Sequence, residues 1–218
     1  PKLAAERELY LSTPHIQRGE IPEKWMQEAK KWIEQGMEGF LVRNLESYAA
    51  LKKCGYGDKC VLDSSLYTWN DEATEFWKKE GVLRNTVPLE LNEGELRHRN
   101  NTSSELLLYG YIPLMLSAQC VRKNLFGCTG KCETVYLKDR YNSEFPVKCC
   151  CTPWECSSLE KAKYCYNIIY NSIPYGLPGE RERVEKLNLQ SLRLAFTVEK
   201  PEEAREIFKE FRTVYQEN

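Results

Sequence analysis

Ten cysteines occur in 218 residues, and eight of them fall between Cys120 and Cys165. The spacing is Cys120-x7-Cys128-x3-Cys132, then Cys149-Cys150-Cys151-x4-Cys156-x8-Cys165. Thiolates are soft ligands for zinc and for iron–sulfur clusters, whereas a disulfide framework usually spreads its cysteines through a small secreted domain that lacks a core. Metal or cluster ligation is the first reading of this segment, with disulfides or scattered thiols as the alternatives. The triplet of adjacent cysteines suits three independent bridges poorly. The paired C-x2-C knuckles of zinc sites are absent, so irregularly spaced thiolates on loops suit an iron–sulfur cluster at least as well. Cys54 and Cys60 stand apart from the group.

Other chemistry would sit at the ends of extended segments. Thr13 and His15, Arg43 and Asn44, Asp63 and Ser64, Glu90 and Asn92, Tyr109, and Glu199 all follow apolar runs that read as strands. In a parallel α/β protein that edge is where substrates bind. Each of these residues also has a plain alternative role in helix capping or loop solvation, above all Asn44 and Asn92. We take His15, Asp63, Glu90 and Asn92 as the candidate rim residues of an active site. Only two histidines are present, and His98 sits in a charged run, so His15 is the one plausible partner for a reactive thiol. There is no G-x-S-x-G elbow, H-E-x-x-H pair, P-loop or G-x-G-x-x-G turn. Asn100 and Asn101 open N-x-S/T matches, which need a secretory context to matter.

The elements that must position these residues alternate. Short strands are expected at Leu9–Ser12, Gly39–Arg43, Cys60–Asp63, Val87–Leu91 and Leu106–Tyr109. Between them, helices start at Pro22 (with Trp25, Met26, Ala29, Trp32 and Ile33 as the apolar face), at Asn44, at Asn70 (with Ala73, Phe76 and Trp77) and at Asn92. A hairpin is predicted from Thr134–Lys138 and Glu144–Lys148. A helix from Gly179 to Leu189, a strand at Leu192–Thr197 and a final helix from Pro201 with Ala204, Ile207, Phe208, Phe211 and Val214 on one face complete the chain. Alternation at this spacing implies βαβ units on a parallel sheet. The fold class expected is α/β: a partial (βα)8 TIM-type barrel of about six βα units with a Cys-rich hairpin insertion, an open parallel sheet being the competing architecture. The expected divisions are 1–119 for barrel units, 120–178 for the Cys-rich segment and 179–218 for the last barrel unit. Two barrel units are expected to precede residue 1.

Composition sets the outer limits. Hydrophobic residues make up 42%, enough for a sizeable core, and the net charge is −1, which argues against a free-standing nucleic-acid clamp. No apolar run approaches the ~20 residues of a membrane span. The N-terminus lacks a signal-peptide core and Pro1 is no natural start, so we expect a processed or excised piece of a cytoplasmic protein. Between Val121 and Lys148 six cations face three acids, a local patch of +3 that could touch RNA.

Several stretches resemble one family. Glu90-Leu91-Asn92, Leu107 to Met115 with Cys120 and Cys128 following, Leu137-Lys138-Asp139-Arg140, Phe145-Pro146-Val147-Lys148, Cys165-Tyr166-Asn167 and Phe196-Thr197-Val198-Glu199 resemble peptidase family U32, the collagenase-like proteases. The resemblance covers nearly the whole chain and would make it the later part of that family's catalytic barrel. It implies a hydrolase or peptidase label, and also relatives that hydroxylate ribosomal RNA, transfer RNA or the ubiquinone precursor without oxygen, using a 4Fe–4S cluster. By that resemblance Cys120 and Cys128 are the first two cluster ligands and Cys165 the last. Cys151 is chosen third by its spacing from Lys148, ahead of Cys150 and Cys149. The chain departs from the pattern by inserting Thr152 to Lys163, with Cys156, between the last two ligands.

The function expected is an iron–sulfur-dependent, hydroxylase-type enzyme acting on an RNA base or small aromatic ring, with zinc as the alternative metal. The other readings are a peptidase acting on peptides and a non-catalytic zinc-binding or structural fragment. On the first reading Cys120, Cys128 and Cys165 should lie on one side of the domain, with sulfurs within roughly 10 Å of one another and bonds to metal of ~2.3 Å.

Overall fold

The structure, a computed structural model, describes residues 7–17, 21, 23–128, 131–151 and 165–216. Pro22, Cys156 and the Thr152 to Lys163 insertion lie outside the described residues. The chain divides into two compact units, Pro1–Leu107 with Glu182–Leu192, and Leu108–Arg181 with Arg193–Asn218.

The first unit follows the alternating pattern: β1 (Tyr10–Ser12), α1 (Glu23–Glu34), β2 (Gly39–Val42), α2 (Leu45–Lys53), β3 (Cys60–Leu62), α3 (Asp71–Lys79), β4 (Arg84–Thr86), α4 (Glu93–Arg97) and the start of β5 (Ser104–Gly110). Each strand pairs in parallel with the next, as in Leu11↔Phe40, Phe40↔Cys60, Leu62↔Asn85 and Asn85↔Ser104. The order β1-β2-β3-β4-β5 never reverses. An open doubly wound sheet turns back at a switch point, whereas winding in one direction is the habit of the barrel. This α/β chain therefore has a mixed sheet flanked by helices, wound as a partial barrel.

One face of the parallel strands carries the core. Phe40, Val42, Cys60 and Leu62 pack with Ala29 of α1, Tyr48 and Leu51 of α2, and Trp77 of α3, backed by Trp25, Trp32 and Ile33. The helix starts are set locally: Asn44 Oδ1 accepts from Ser47 N at 2.7 Å and Asn70 Oδ1 from Ala73 N at 2.9 Å, caps each worth ~1 kcal/mol. Phe76, expected on the inner face of α3, is 56% exposed, and Thr74 is buried in that turn beside Trp77.

The expected fourth strand is displaced. It forms at Arg84–Thr86, three residues before the apolar run from Val87, because that polar stretch is satisfied internally. Asn85 Oδ1 accepts from Arg99 Nη2 (2.8 Å), Thr68 Oγ1 (3.0 Å) and Ser104 Oγ (3.0 Å). Arg99, 7% exposed, also donates to Thr68 O, Thr68 Oγ1, Thr74 Oγ1, Asn101 Oδ1 and Ser104 Oγ. A buried guanidinium held by neutral acceptors substitutes here for an apolar plug. Asn101, one of the two glycosylation matches, is buried, and its amide donates to Leu96 O and Leu187 O.

The second unit holds the end of β5, then β6 (Pro113–Ser117), α5 (Val121–Phe126), β7 (Thr134–Lys138), β8 (Glu144–Cys150), β9 (Tyr166–Tyr170), β10 (Tyr175–Gly176), β11 (Ser191–Ala195, entering from the first unit) and α7 (Pro201–Gln216); α6 (Arg181–Glu185) falls between β10 and β11. The predicted hairpin is present in register, Thr134↔Lys148 through Lys138↔Glu144. Its turn is built by Asp139, whose Oδ1 accepts from Tyr141 N and Ser143 N, with Asn142 at φ +64. The hairpin is half of a four-stranded antiparallel sheet ordered β6-β9-β8-β7. Of the expected helix from Gly179 to Leu189, only Arg181–Glu185 is helical. On α7, Phe211 is buried against Tyr109, while Phe208 is half-exposed. No helix among the described residues is long and apolar enough to cross a membrane.

Candidate functional site

In the first unit the ladder continues one residue past β1 and β3. Thr13 N donates to Leu41 O at 2.9 Å, and Asp63 N donates to Val42 O at 2.8 Å. That carries Thr13, Arg43 and Asp63 to one edge, the C-terminal edge of the strands. Arg43 Nε donates to Asp63 Oδ2 at 2.8 Å, and Arg43 N donates to Thr13 Oγ1 at 3.0 Å. Asp63 Oδ1 accepts from Ser64 N at 2.8 Å, and Ser65 Oγ donates to Arg43 O at 2.9 Å. Asn44 combines its capping role with a hydrogen bond donated by its Nδ2 to Pro14 O at 2.8 Å. The Asp63 side chain is 8% exposed and that of Arg43 25%, so the pair is partly desolvated with its guanidinium toward solvent.

His15 belongs to this group. Burial first, and then the Arg43 cation, hold its imidazole down to about 4, with Asp63 opposing. At neutral pH the ring is uncharged beside an ion pair of zero net charge. Such a ring is a weak base, and it serves better as a hydrogen-bonding wall than as a proton carrier.

After Asp63 a 3-10 turn, Ser64–Leu66, leads into Tyr67, which sits in the left-handed region at φ 49, ψ 61. A tyrosine held there costs of order 1 kcal/mol and marks a constrained position. Its ring stacks on Trp69 with centroids 6.3 Å apart and planes at 25°, and the two are 52% and 45% exposed. No sequence motif marks this aromatic pair; two large rings within seven residues of Asp63 are the available signal.

The remaining rim candidates have local duties. Asn92 caps α4 in a reciprocal box: its Oδ1 accepts from Glu95 N at 3.1 Å and Glu95 Oε2 accepts from Asn92 N at 2.8 Å. Glu90 lies on an exposed turn four residues beyond the end of β4. Asn92 and His98 border an open groove of about 700 Å³ beside Trp69. In the second unit Glu199 Oε2 closes its own loop by accepting from Thr197 N and Val198 N, and burial raises the phenol of Tyr109.

The thiols do not make the expected metal centre. Among the described residues no group of three or more histidine, cysteine, aspartate or glutamate side chains is placed to hold a metal ion. Neither a 4Fe–4S cluster nor zinc on Cys120, Cys128, Cys151 and Cys165 fits this arrangement. The physical reason is that the sulfurs are taken up in hydrogen bonds with protein groups and form no ligand shell. Cys151 Sγ donates to Lys131 O (3.4 Å), Cys132 Sγ to Cys151 O (3.3 Å) and Cys149 Sγ to Asn167 Oδ1 (3.9 Å). Burial, with Cys165 and Cys132 next, pushes the Cys151 thiol up to about 12, and burial with Cys120 pushes Cys149 up to about 11. Cys120 caps α5, its sulfur accepting from Lys123 N, and Cys128 is exposed. Cys60 is a core thiol bonded to Tyr56 O at 3.2 Å, and Cys54 is exposed at the end of α2.

The basic patch is partly neutralised. Arg122 pairs with Glu133 at 2.8 Å and Lys138 with Glu144 at 3.0 Å. No protein-family model, curated protein or solved structure matches the chain. The peptidase and hydrolase labels carried by the family resemblance thus find no support, and the iron–sulfur and metal-binding labels are contradicted by the thiol geometry.

Proposed function

We propose that the first unit is the substrate-holding part of an enzyme, taking a planar, uncharged polar ring, such as a nucleobase or small aromatic molecule, at the C-terminal edge of β1 to β3. The observation that carries this reading is the 2.8 Å Arg43–Asp63 bond at that edge, close enough to His15 for both charges to act on its imidazole. An ion pair of zero net charge offers donors and acceptors side by side and does not demand a charged ligand. A neutral imidazole adds a further polar edge, and the exposed Tyr67–Trp69 stack, one turn beyond Asp63, supplies a flat apolar surface of the kind on which rings stack for ~1–3 kcal/mol each.

The test is saturation-transfer NMR on the 218-residue chain with uridine, adenosine and 4-hydroxybenzamide as probes. At least one ring should give transfer that is lost in Arg43→Met and weakened in Tyr67→Ala. Absence of transfer from all three, or full transfer to Arg43→Met, would overturn the reading.

A further inference from the structure

The β8–β9 ladder pairs Cys149 with Asn167 and Cys150 with Tyr166. One step further along the same antiparallel register sets Cys151 opposite Cys165. The type of this pair follows from the hydrogen bonding on the other side of β8. Cys149 N donates to Glu133 O at 2.9 Å, toward the β7 side, so Cys149 and its alternate, Cys151, turn their backbone groups away from β9. Cys151 and Cys165 thus occupy a non-hydrogen-bonded cross-strand position, where Cα atoms stand ~4.5 Å apart and side chains are closest. That separation lies within the ~4.4–6.8 Å span of disulfide bridges. Cys165 is also the first of the neighbouring groups that, after burial, push the Cys151 thiol up, as expected of adjacent sulfurs.

We propose that Cys151 and Cys165 form a thiol–disulfide exchange site that closes as a cross-strand bridge at the expense of a small-molecule disulfide. The sulfur of Cys165, as thiolate, attacks a sulfur of the external disulfide. A protein–small-molecule mixed disulfide forms and one small thiol leaves. The second cysteine, losing its proton, then attacks the protein sulfur of that mixed disulfide and expels the other small thiol. Two protein thiols are oxidised, one disulfide is reduced to two thiols, and no further oxidant is needed.

Access separates this pair from its neighbours. Cys151 and Cys165 are both half-buried, open enough for a small reagent yet held together by the ladder. Cys149, which interacts with Cys120, is 1% exposed and shielded from an external disulfide. Cys128 is exposed and is set opposite no cysteine by strand register, so a mixed disulfide is the expected product there. Cys132, also exposed, falls opposite Cys150 when the β7–β8 register is carried two residues past Thr134↔Lys148, and a Cys132–Cys150 bridge is the competing product, told apart by its own tryptic peptide. A closed bridge would tie the end of β8 to the start of β9 across the 152–164 segment.

The experiment incubates the whole chain with oxidised glutathione, alkylates the remaining thiols and maps the tryptic peptides by mass spectrometry. The expected result is a linked pair joining the peptide of Cys151 to that of Cys165, reversed by dithiothreitol. Cys149, Cys150 and Cys156 share the Cys151 tryptic peptide, so C151S assigns the bridge: the linked pair should vanish, and Cys165 should carry glutathione instead. Persistence of the linked pair in C151S would overturn the proposal, as would a wild-type chain bearing only mixed disulfides. The wild-type map needs no variant to fold. A ring-binding result and this map are independent, since they concern different units.

Discussion

Replacing His15 by glutamine separates its titration from every other effect of acid on this chain. His15 is held at about 4 in the folded protein, against 6.5 ordinarily. As pH falls through 6.5 the unfolded chain takes up a proton that the folded chain refuses, so the unfolded state is favoured. The loss begins near the ordinary value, grows as pH drops and levels off below about 4, where the folded form also protonates. The full difference is worth ~3 kcal/mol, and ~2 kcal/mol of it should already be lost between about pH 7.5 and about pH 5. Other groups also titrate over that range, so the wild-type curve alone decides nothing. The quantity to measure is the difference between wild type and His15→Gln in urea unfolding at the two pH values. Wild type should lose ~2 kcal/mol more than the variant, because glutamine retains hydrogen-bonding groups and does not titrate. Parallel losses in the two proteins would refute the placement of a neutral histidine beside the Arg43–Asp63 pair. An NMR titration of the imidazole protons gives an independent reading, with a midpoint near about 4 expected and one near 6.5 contradicting the argument.

Two further substitutions probe the scaffold beneath the site. Gly39→Ala would put a methyl carbon 2.0 Å from the backbone oxygen of Lys59, a clash that no side-chain movement relieves. A loss of ~3 kcal/mol or more, or failure to accumulate folded protein, is expected in urea unfolding, while Gly179→Ala, with open space around it, should change little. Arg99→Met removes the donors that satisfy Thr68, Asn85, Asn101 and Ser104 and should cost ~3 kcal/mol by the same measurement, since each stranded buried acceptor carries a penalty of ~1–3 kcal/mol. A loss below ~1 kcal/mol would mean that water reaches those groups, and the network would then not be what holds β4 in place.

Much of the scaffold was legible because its signals are local. Asn44, Asn70 and Asn92 cap helices through their own side chains, and the hairpin register follows from two alternating runs and an aspartate turn. β4 was misplaced because Arg84, Asn85 and Thr86 look like a loop until Arg99, from fourteen residues beyond Asn85, supplies a buried donor. In sequence Arg99 reads as one more charge in a solvated run. The strand pairing of β6 and β9 was equally hidden. Each is a short apolar stretch whose partner is set by tertiary packing, so the hairpin between them looked like an isolated insertion.

The same division governs the chemistry. Which residues could reach the C-terminal edge is written in the chain itself, since a residue following a strand in a βαβ unit has nowhere else to go; Thr13, His15, Arg43 and Asp63 are identifiable on that ground. So is the gathering of many thiols between Cys120 and Cys165. How either set is used depends on packing and strand register. Arg43 and Asp63 become one ion pair because consecutive parallel strands bring residues twenty apart to 2.8 Å. The thiols become donors and a cross-strand pair, not a ligand shell, because strand register sets which sulfur faces which, and spacing along the chain carries no information about register.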